Sequence, residues 1–183
     1  MILFIDACVR AESRTRKLTG HILKGLEGEV QTVRLAEASF PAVDEAFLSF
    51  RSQCAEAGDY SDPVFAPARQ FARADTIVIA APYWDLSFPS VLKQYLEQIC
   101  VQGLTFRYTE EGVPESLCRA KDLWYVTTAG GPILSDAFGF GYVEALANSF
   151  FGIHQTHLIK AEGLDVFGAD VEAIIRAAIP GKN

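Results

Sequence analysis

At 183 residues, half of them hydrophobic, the chain has the size of one domain with a continuous core. A formal net charge of −7 and a pI near 5.0 argue against nonspecific nucleic-acid binding, which requires a basic footprint. No apolar run reaches the roughly 20 residues of a spanning helix. The opening Met-Ile-Leu-Phe-Ile-Asp lacks the basic leader and small-residue cleavage site of a signal peptide. A cytoplasmic protein that stays off membranes is expected.

In chain order, Ile2 to Ile5 is a short, solidly apolar run at the very start, the pattern of a strand buried on both faces. Residues 7–13 are loop-like. From Arg14 to Leu26 the apolar positions Leu18, Ile22, Leu23 and Leu26 recur at helical spacing, and Gly28 marks the stop. Val30 to Leu35 is a second, alternating strand. Val43 to Ala57 is predicted helical, Gly58 to Pro63 a turn, and Val64 to Ala72 a further helix. Thr-Ile-Val-Ile-Ala at 76–80 is β-branched and uncharged, a central strand.

Proline at the first turn of a helix loses no needed hydrogen bond, so Pro89 is expected to open one that runs to about Val101. Thr105 to Tyr108 is a short extended piece, turned at Glu110-Glu111-Gly112 into a possible hairpin. Leu123 to Thr127 is a buried strand, Tyr142 to Phe151 a helix, His154 to Ala161 the fifth strand, and Val171 to Ala178 part of the last helix. Strands separated by helices in this way predict a single α/β domain over 1–183, with a three-layer, doubly wound, five-stranded parallel sheet.

The cysteines Cys8, Cys54, Cys100 and Cys118 contain no Cys-x-x-Cys pair and form no metal-ligand pattern with His21, His154 and His157. No metal site is predicted, and free thiols suit a reducing compartment.

In an open parallel sheet, ligands sit outside the carboxyl ends of the strands, where three loops fall. The first is Cys8-Val9-Arg10-Ala11-Glu12-Ser13-Arg14-Thr15. A helix start presents unpaired N–H groups and partial positive charge to a phosphate. Ser13 and Thr15 add hydroxyls, while Arg10 and Arg14 can pair with phosphate oxygens. The loop has no glycine, so it is neither a Gly-x-Gly-x-x-Gly fingerprint nor a nucleoside-triphosphate loop. The plainer alternative is a capped helix with a solvated basic first turn. However, Arg14, Arg16 and Lys17 oppose the helix dipole, a local cost that an anionic ligand offsets.

The second loop, Pro82-Tyr83-Trp84-Asp85-Leu86-Ser87-Phe88-Pro89, leaves the central strand with adjacent aromatics that cannot both enter the core. At least one is therefore exposed or covers a planar ligand, or the loop packs on a partner subunit. The third, Thr127-Thr128-Ala129-Gly130-Gly131-Pro132, offers main chain unobstructed by side chains. No Gly-x-Ser-x-Gly element or acid–histidine relay is present, and a thiolate at Cys8 needs positive charge to lower its pKa.

Together these loops carry a resemblance. The chain resembles the flavodoxin-like NAD(P)H-dependent oxidoreductases, the group of FMN-dependent azoreductases and NAD(P)H:quinone reductases. The likeness spans most of the chain and is strongest at Ala81–Pro89, Leu92-Lys93-Gln94-Tyr95 and Gly103–Gly112. It implies noncovalent FMN, with NADH or NADPH as reductant. Ser13, Arg14 and Thr15 match the element that holds the FMN phosphate, and Cys8 stands where the family often has serine. Pro82, Tyr83, Trp84, Asp85 and Leu86 match the loop beside ribityl and ring; Thr128, Ala129, Gly130 and Gly131 match the loop at the pyrimidine side.

The resemblance further implies a homodimer whose second subunit closes the substrate pocket, with Trp84 and Phe106 contributing to it. Hydride passes from nicotinamide to flavin, and a quinone-like or other small aromatic acceptor is then reduced. The cofactor carries that chemistry, so no catalytic side chain is expected. Two departures stand out: Trp84-Asp85 replaces the common tyrosine-asparagine, and Ala129 replaces a common arginine. Azo reduction is therefore not implied. The alternative class is a flavodoxin-like electron carrier or protein-interaction module without enzymatic activity.

Overall fold

The computed structural model describes residues 1–181. Five parallel strands form the central sheet: β1 (Ile2–Asp6), β2 (Val30–Arg34), β3 (Thr76–Ala80), β6 (Asp122–Thr128) and β7 (Gln155–Ala161), in the order β2-β1-β3-β6-β7. The short strands β4 (Phe106–Tyr108) and β5 (Pro114–Ser116) make the antiparallel hairpin anticipated around Gly112. The helices are α1 (Arg14–Leu23), α2 (Glu45–Ala57), α3 (Ala66–Arg73), α4 (Ser90–Ile99), α5 (Phe140–Ser149) and α6 (Val171–Ala177).

Strand side chains alternate between sheet faces, and the core divides accordingly. Leu3, Ile5, Ile77, Ile79, Leu123 and Tyr125 pack with Phe71 of α3, with Leu92, Tyr95 and Leu96 of α4, and with Val143 of α5. On the opposite face, Val126 and Ile159 meet Leu18 and Ile22 of α1 and Ile175 of α6. Phe4 and Val78 extend that layer. Both faces of β1 are thus covered, which is why all five of its residues are buried and its sequence shows no alternation. These are the three layers the pattern predicted.

Several boundaries differ for local reasons. The first helix stops at Leu23 rather than Leu26, because Gly25 enters a turn bonded to Ile22 O. Asp44 caps α2, so that helix starts at Glu45 rather than Val43. Before α3, Pro63–Phe65 form a 3-10 turn in place of continuous helix. No residue of α2 is buried. Strand β2 lies at the sheet edge, and only Val33 in it is even half-buried.

Because β1 lies between β2 and β3, the chain reverses its direction of travel across the sheet at β1. The main chains beyond β1 and β3 therefore diverge and leave a crevice at their carboxyl ends. The α1 N-terminus opens onto it.

Candidate functional site

An open cleft of about 700 Å³, solvent at its mouth included, occupies this switch point. Cys8, Arg10, Ser13, Arg14 and Thr15 line it from the first loop; Pro82, Tyr83 and Trp84 from the second; Thr128, Ala129 and Gly130 from the third. The structure thus brings together most of the residues selected from sequence. Asp85, Leu86 and Gly131 lie outside the lining. Phe106 lies elsewhere in its own chain, buried at a second depression with Leu48, Arg51 and Tyr108 and packed edge-on against Phe150.

Ser13 caps α1, accepting from Arg16 N–H at 3.2 Å and keeping its own hydroxyl proton for donation. Among the described residues, the N–H groups of Arg14 and Thr15 have no protein acceptor, as the geometry of a helix start dictates. Among the described residues the Arg10 guanidinium likewise meets no acceptor, while its carbonyl accepts from Arg16. Thr15 Oγ1 lies 2.7 Å from Thr128 Oγ1 in a buried contact that staples the first loop to the third; one of the two hydroxyls retains a free proton. The Tyr83 hydroxyl is buried without a partner among the described residues, which costs about 1–3 kcal/mol until a ligand or water takes it. This donor-rich end fits a phosphate, and the half-exposed Tyr83–Trp84 edge fits a planar ring.

The basic patch is corrected in its role. Each of its members already has a protein partner. The Arg16 Nε donates to buried Asp6 at 2.6 Å, and the rest of its guanidinium donates to the carbonyls of Arg10, Ala11 and Cys8 at 3.0, 2.7 and 2.7 Å. Arg16 therefore clamps the first loop in shape and is absent from the cleft lining. Lys17 pairs with Glu172 of α6 at 2.5 Å, and Arg14 donates to Leu164 O at 2.9 Å and to Asp165 at 2.8 Å. The repulsion with the helix dipole is met by internal carboxylates and carbonyls.

Burial pushes the Cys8 thiol up to about 12, with nearby Asp6 adding to the effect. It is a protonated wall of the cleft. His154 and His157 bond Asn148 and Asp122 away from the cleft, and His157 stacks on Trp124.

The second loop turns sharply: Trp84 N–H donates to Ser87 O and Ser87 N–H to Trp84 O, a closed two-residue hairpin turn. Asp85 and Leu86 take positive φ, 51° and 67°, as a type I′ turn requires. Leucine carries a steric cost there that asparagine or glycine avoids. Leu86 itself is exposed.

Three lining residues, Val9, Glu12 and Asp165, were not anticipated. The segment after β7 supplies Asp165 and runs along the third loop, with N–H groups of Gly163, Leu164 and Asp165 donating to Gly131, Ala129 and Gly130 carbonyls. Its signal was available: a strand ending at Ala161 opens onto the same sheet edge as the other three loops.

A family model described as flavodoxin-like fold matches residues 1–180. The chain belongs to the flavodoxin-like family. Among its relatives is an FMN-dependent NADH:quinone oxidoreductase 2 from Clostridium acetobutylicum, 36% identical over 97% of this chain and 94% of that protein. An FMN-dependent NADH:quinone oxidoreductase from Clostridium perfringens is 33% identical over 97% and 93%. A solved azoreductase from Bacillus anthracis superimposes with a TM-score of 0.81 at 25% identity, covering 97% of this chain and 94% of that one. The flavodoxin-like architecture and the family inferred from the loops are thereby borne out.

Proposed function

We propose that this flavodoxin-like protein is an FMN-dependent NADH oxidoreductase that reduces quinones or related small aromatic acceptors. The observation that carries the reading is the convergence of the three loops in one cleft at the β1/β3 switch point, phosphate donors at one end and the Tyr83–Trp84 edge at the other. The kinship with NADH:quinone oxidoreductases supports the activity and NADH as reductant. NADPH is a second candidate reductant, to be measured alongside it.

When bound, FMN supplies the redox chemistry, accepting hydride from the nicotinamide and returning two electrons to the acceptor. The α1 N-terminus, Ser13, Arg10 and Arg14 would hold the phosphate, and the tight Trp84–Ser87 turn and the Ala129–Gly130 main chain would hold and polarise the ring. The Thr15–Thr128 staple fixes the separation of the first and third loops.

A homodimer is part of the proposal. Leu134, Phe138, Val166 and Phe167 stand exposed on loops flanking the cleft, with Phe167 wholly open to solvent. A second copy covering them is expected to complete an apolar acceptor pocket. Light scattering on a sizing column tests this; a strict monomer refutes it.

The activity is tested by the absorbance spectrum of freshly purified protein, mass identification of the released ligand, and rapid mixing with NADH and NADPH. Bound FMN that bleaches within seconds and recovers on adding a quinone is the expected result. A protein that takes up no flavin on reconstitution refutes the reading, and bound flavin inert to both nicotinamides makes the protein an electron carrier.

A further inference from the structure

The segment following β7 carries a cleft-lining carboxylate, Asp165, that reaches the proposed phosphate end from a distant part of the chain. Asp165 lies 151 residues from Arg14, yet accepts from its Nη2 at 2.8 Å while Leu164 O accepts from Nη1 at 2.9 Å. Main-chain bonding fixes this position, since Asp165 N–H donates to Gly130 O at 2.9 Å. The same carboxylate fills the room that glycine leaves at 130, where a Cβ would overlap Asp165 Oδ2 and lie 2.9 Å from its Cγ. Both features selected from sequence as ligand-binding, an arginine at the helix start and an open glycine, are thus engaged by one side chain.

Charge sharpens the point. The charged residues lining the cleft are Arg10 and Arg14 against Glu12 and Asp165, so the lining is formally neutral. Only the α1 N-terminal dipole and its free N–H groups tip it towards an anion. A phosphate carrying close to two negative charges must share or take Arg14 from a carboxylate already paired with it.

We propose that Asp165 is a competing internal anion that sets flavin-phosphate affinity, so that FMN binds by displacing the Asp165 carboxylate from Arg14. The inference rests on the FMN reading above. Asp165 is an exposed partner, with two thirds of its side chain open to solvent, so its displacement is inexpensive and needs no refolding. The device sets binding to a moderate strength and makes it specific: a neutral flavin without phosphate gains nothing from releasing Arg14. It also ties FMN binding to the position of the 163–165 segment, which is bonded to the third loop.

The test is fluorescence-quenching titration of wild-type apoprotein and Asp165→Asn with FMN and with riboflavin. Asparagine keeps the shape and the main-chain bonds but removes the charge. The expected result is FMN binding about three- to tenfold tighter in Asp165→Asn, from loss of an exposed competing pair and of carboxylate–phosphate repulsion, with riboflavin affinity changed less than about twofold. FMN affinity that is unchanged or weaker, or riboflavin tightening by the same factor, overturns the competition. Wild-type protein that binds FMN no better than riboflavin, or binds neither, instead overturns the phosphate reading, and the competition with it.

Discussion

Replacing Arg16 with methionine tests whether the first loop is held by an internal ion pair rather than by its ligand. The Asp6 carboxylate is 1% exposed, and among the described residues its side chain accepts, besides Arg16, only the Cys8 N–H, at 3.0 Å. Removing one partner of a buried pair costs roughly 3–5 kcal/mol because the remaining charge is left without its counter-ion. The Arg16 side chain is 30% exposed, so water repays part of the loss and about 3 kcal/mol is expected. With a urea slope of about 2 kcal/mol/M, the unfolding midpoint falls by about 1.5 M. Arg16→Lys keeps the charge but cannot span a carboxylate and three carbonyls, so it falls between the two. Asp6→Asn combined with Arg16→Met removes the stranded charge and recovers part of the loss. FMN affinity falls with Arg16→Met, since the 8–12 main chain loses its template. A midpoint within about 0.25 M of wild type, or a double variant no more stable than Arg16→Met, refutes the reasoning.

Further outcomes follow from the other polar ties. Arg14→Ala weakens FMN binding by about tenfold while leaving riboflavin nearly unaffected, read by the same quenching titration. Thr128→Val removes the buried bond to Thr15 and leaves that hydroxyl unsatisfied, a loss of about 1–2 kcal/mol measurable by thermal unfolding. Leu86→Gly relieves a non-glycine residue at φ 67°, and its stability is unchanged or higher by up to about 1 kcal/mol. Because folding pushes the Cys8 thiol up to about 12, the unfolded thiol ionises first. Stability from this group is therefore intact below about pH 8.5 and declines above it by about 1 kcal/mol per pH unit. Urea midpoints at pH 8 and pH 10 should fall less in Cys8→Ser than in wild type.

The strands that position the site were legible because burial on both faces leaves continuous apolar runs, as in Ile2–Ile5 and Ile77–Ala80. The three loops were legible because sheet topology places their roles at strand ends whatever the strand order. What sequence could not give was pairing over distance. Nothing local to Arg16 says that it turns inward to Asp6, and nothing near Arg14 points to Asp165. A run of basic residues at a helix start reads as a free anion site until its partners, ten and 151 positions away, are seen. Thr15 reads in sequence as a phosphate ligand, and nothing local to it predicts that its hydroxyl meets Thr128. The exposed face of α2 and the placement of Phe106 against Phe150 are likewise properties of packing that periodicity does not encode.

The ties around the cleft differ in strength in a way that suits a reversible cofactor site. The buried contacts, Arg16 to Asp6 and Thr15 to Thr128, fix the first loop and its distance from the third. They lie behind the lining or at its floor, with Asp6 and both threonines buried, where a hydrogen bond keeps more of its value than at the surface. The exposed contacts, Arg14 to Asp165 and Lys17 to Glu172, connect α1 to the segments after β7 and are worth little in water. A ligand phosphate arriving at α1 therefore meets a frame that does not need to be built, and displaces only the contact that costs least. That division lets preorganised backbone donors supply affinity, while one exposed carboxylate limits it.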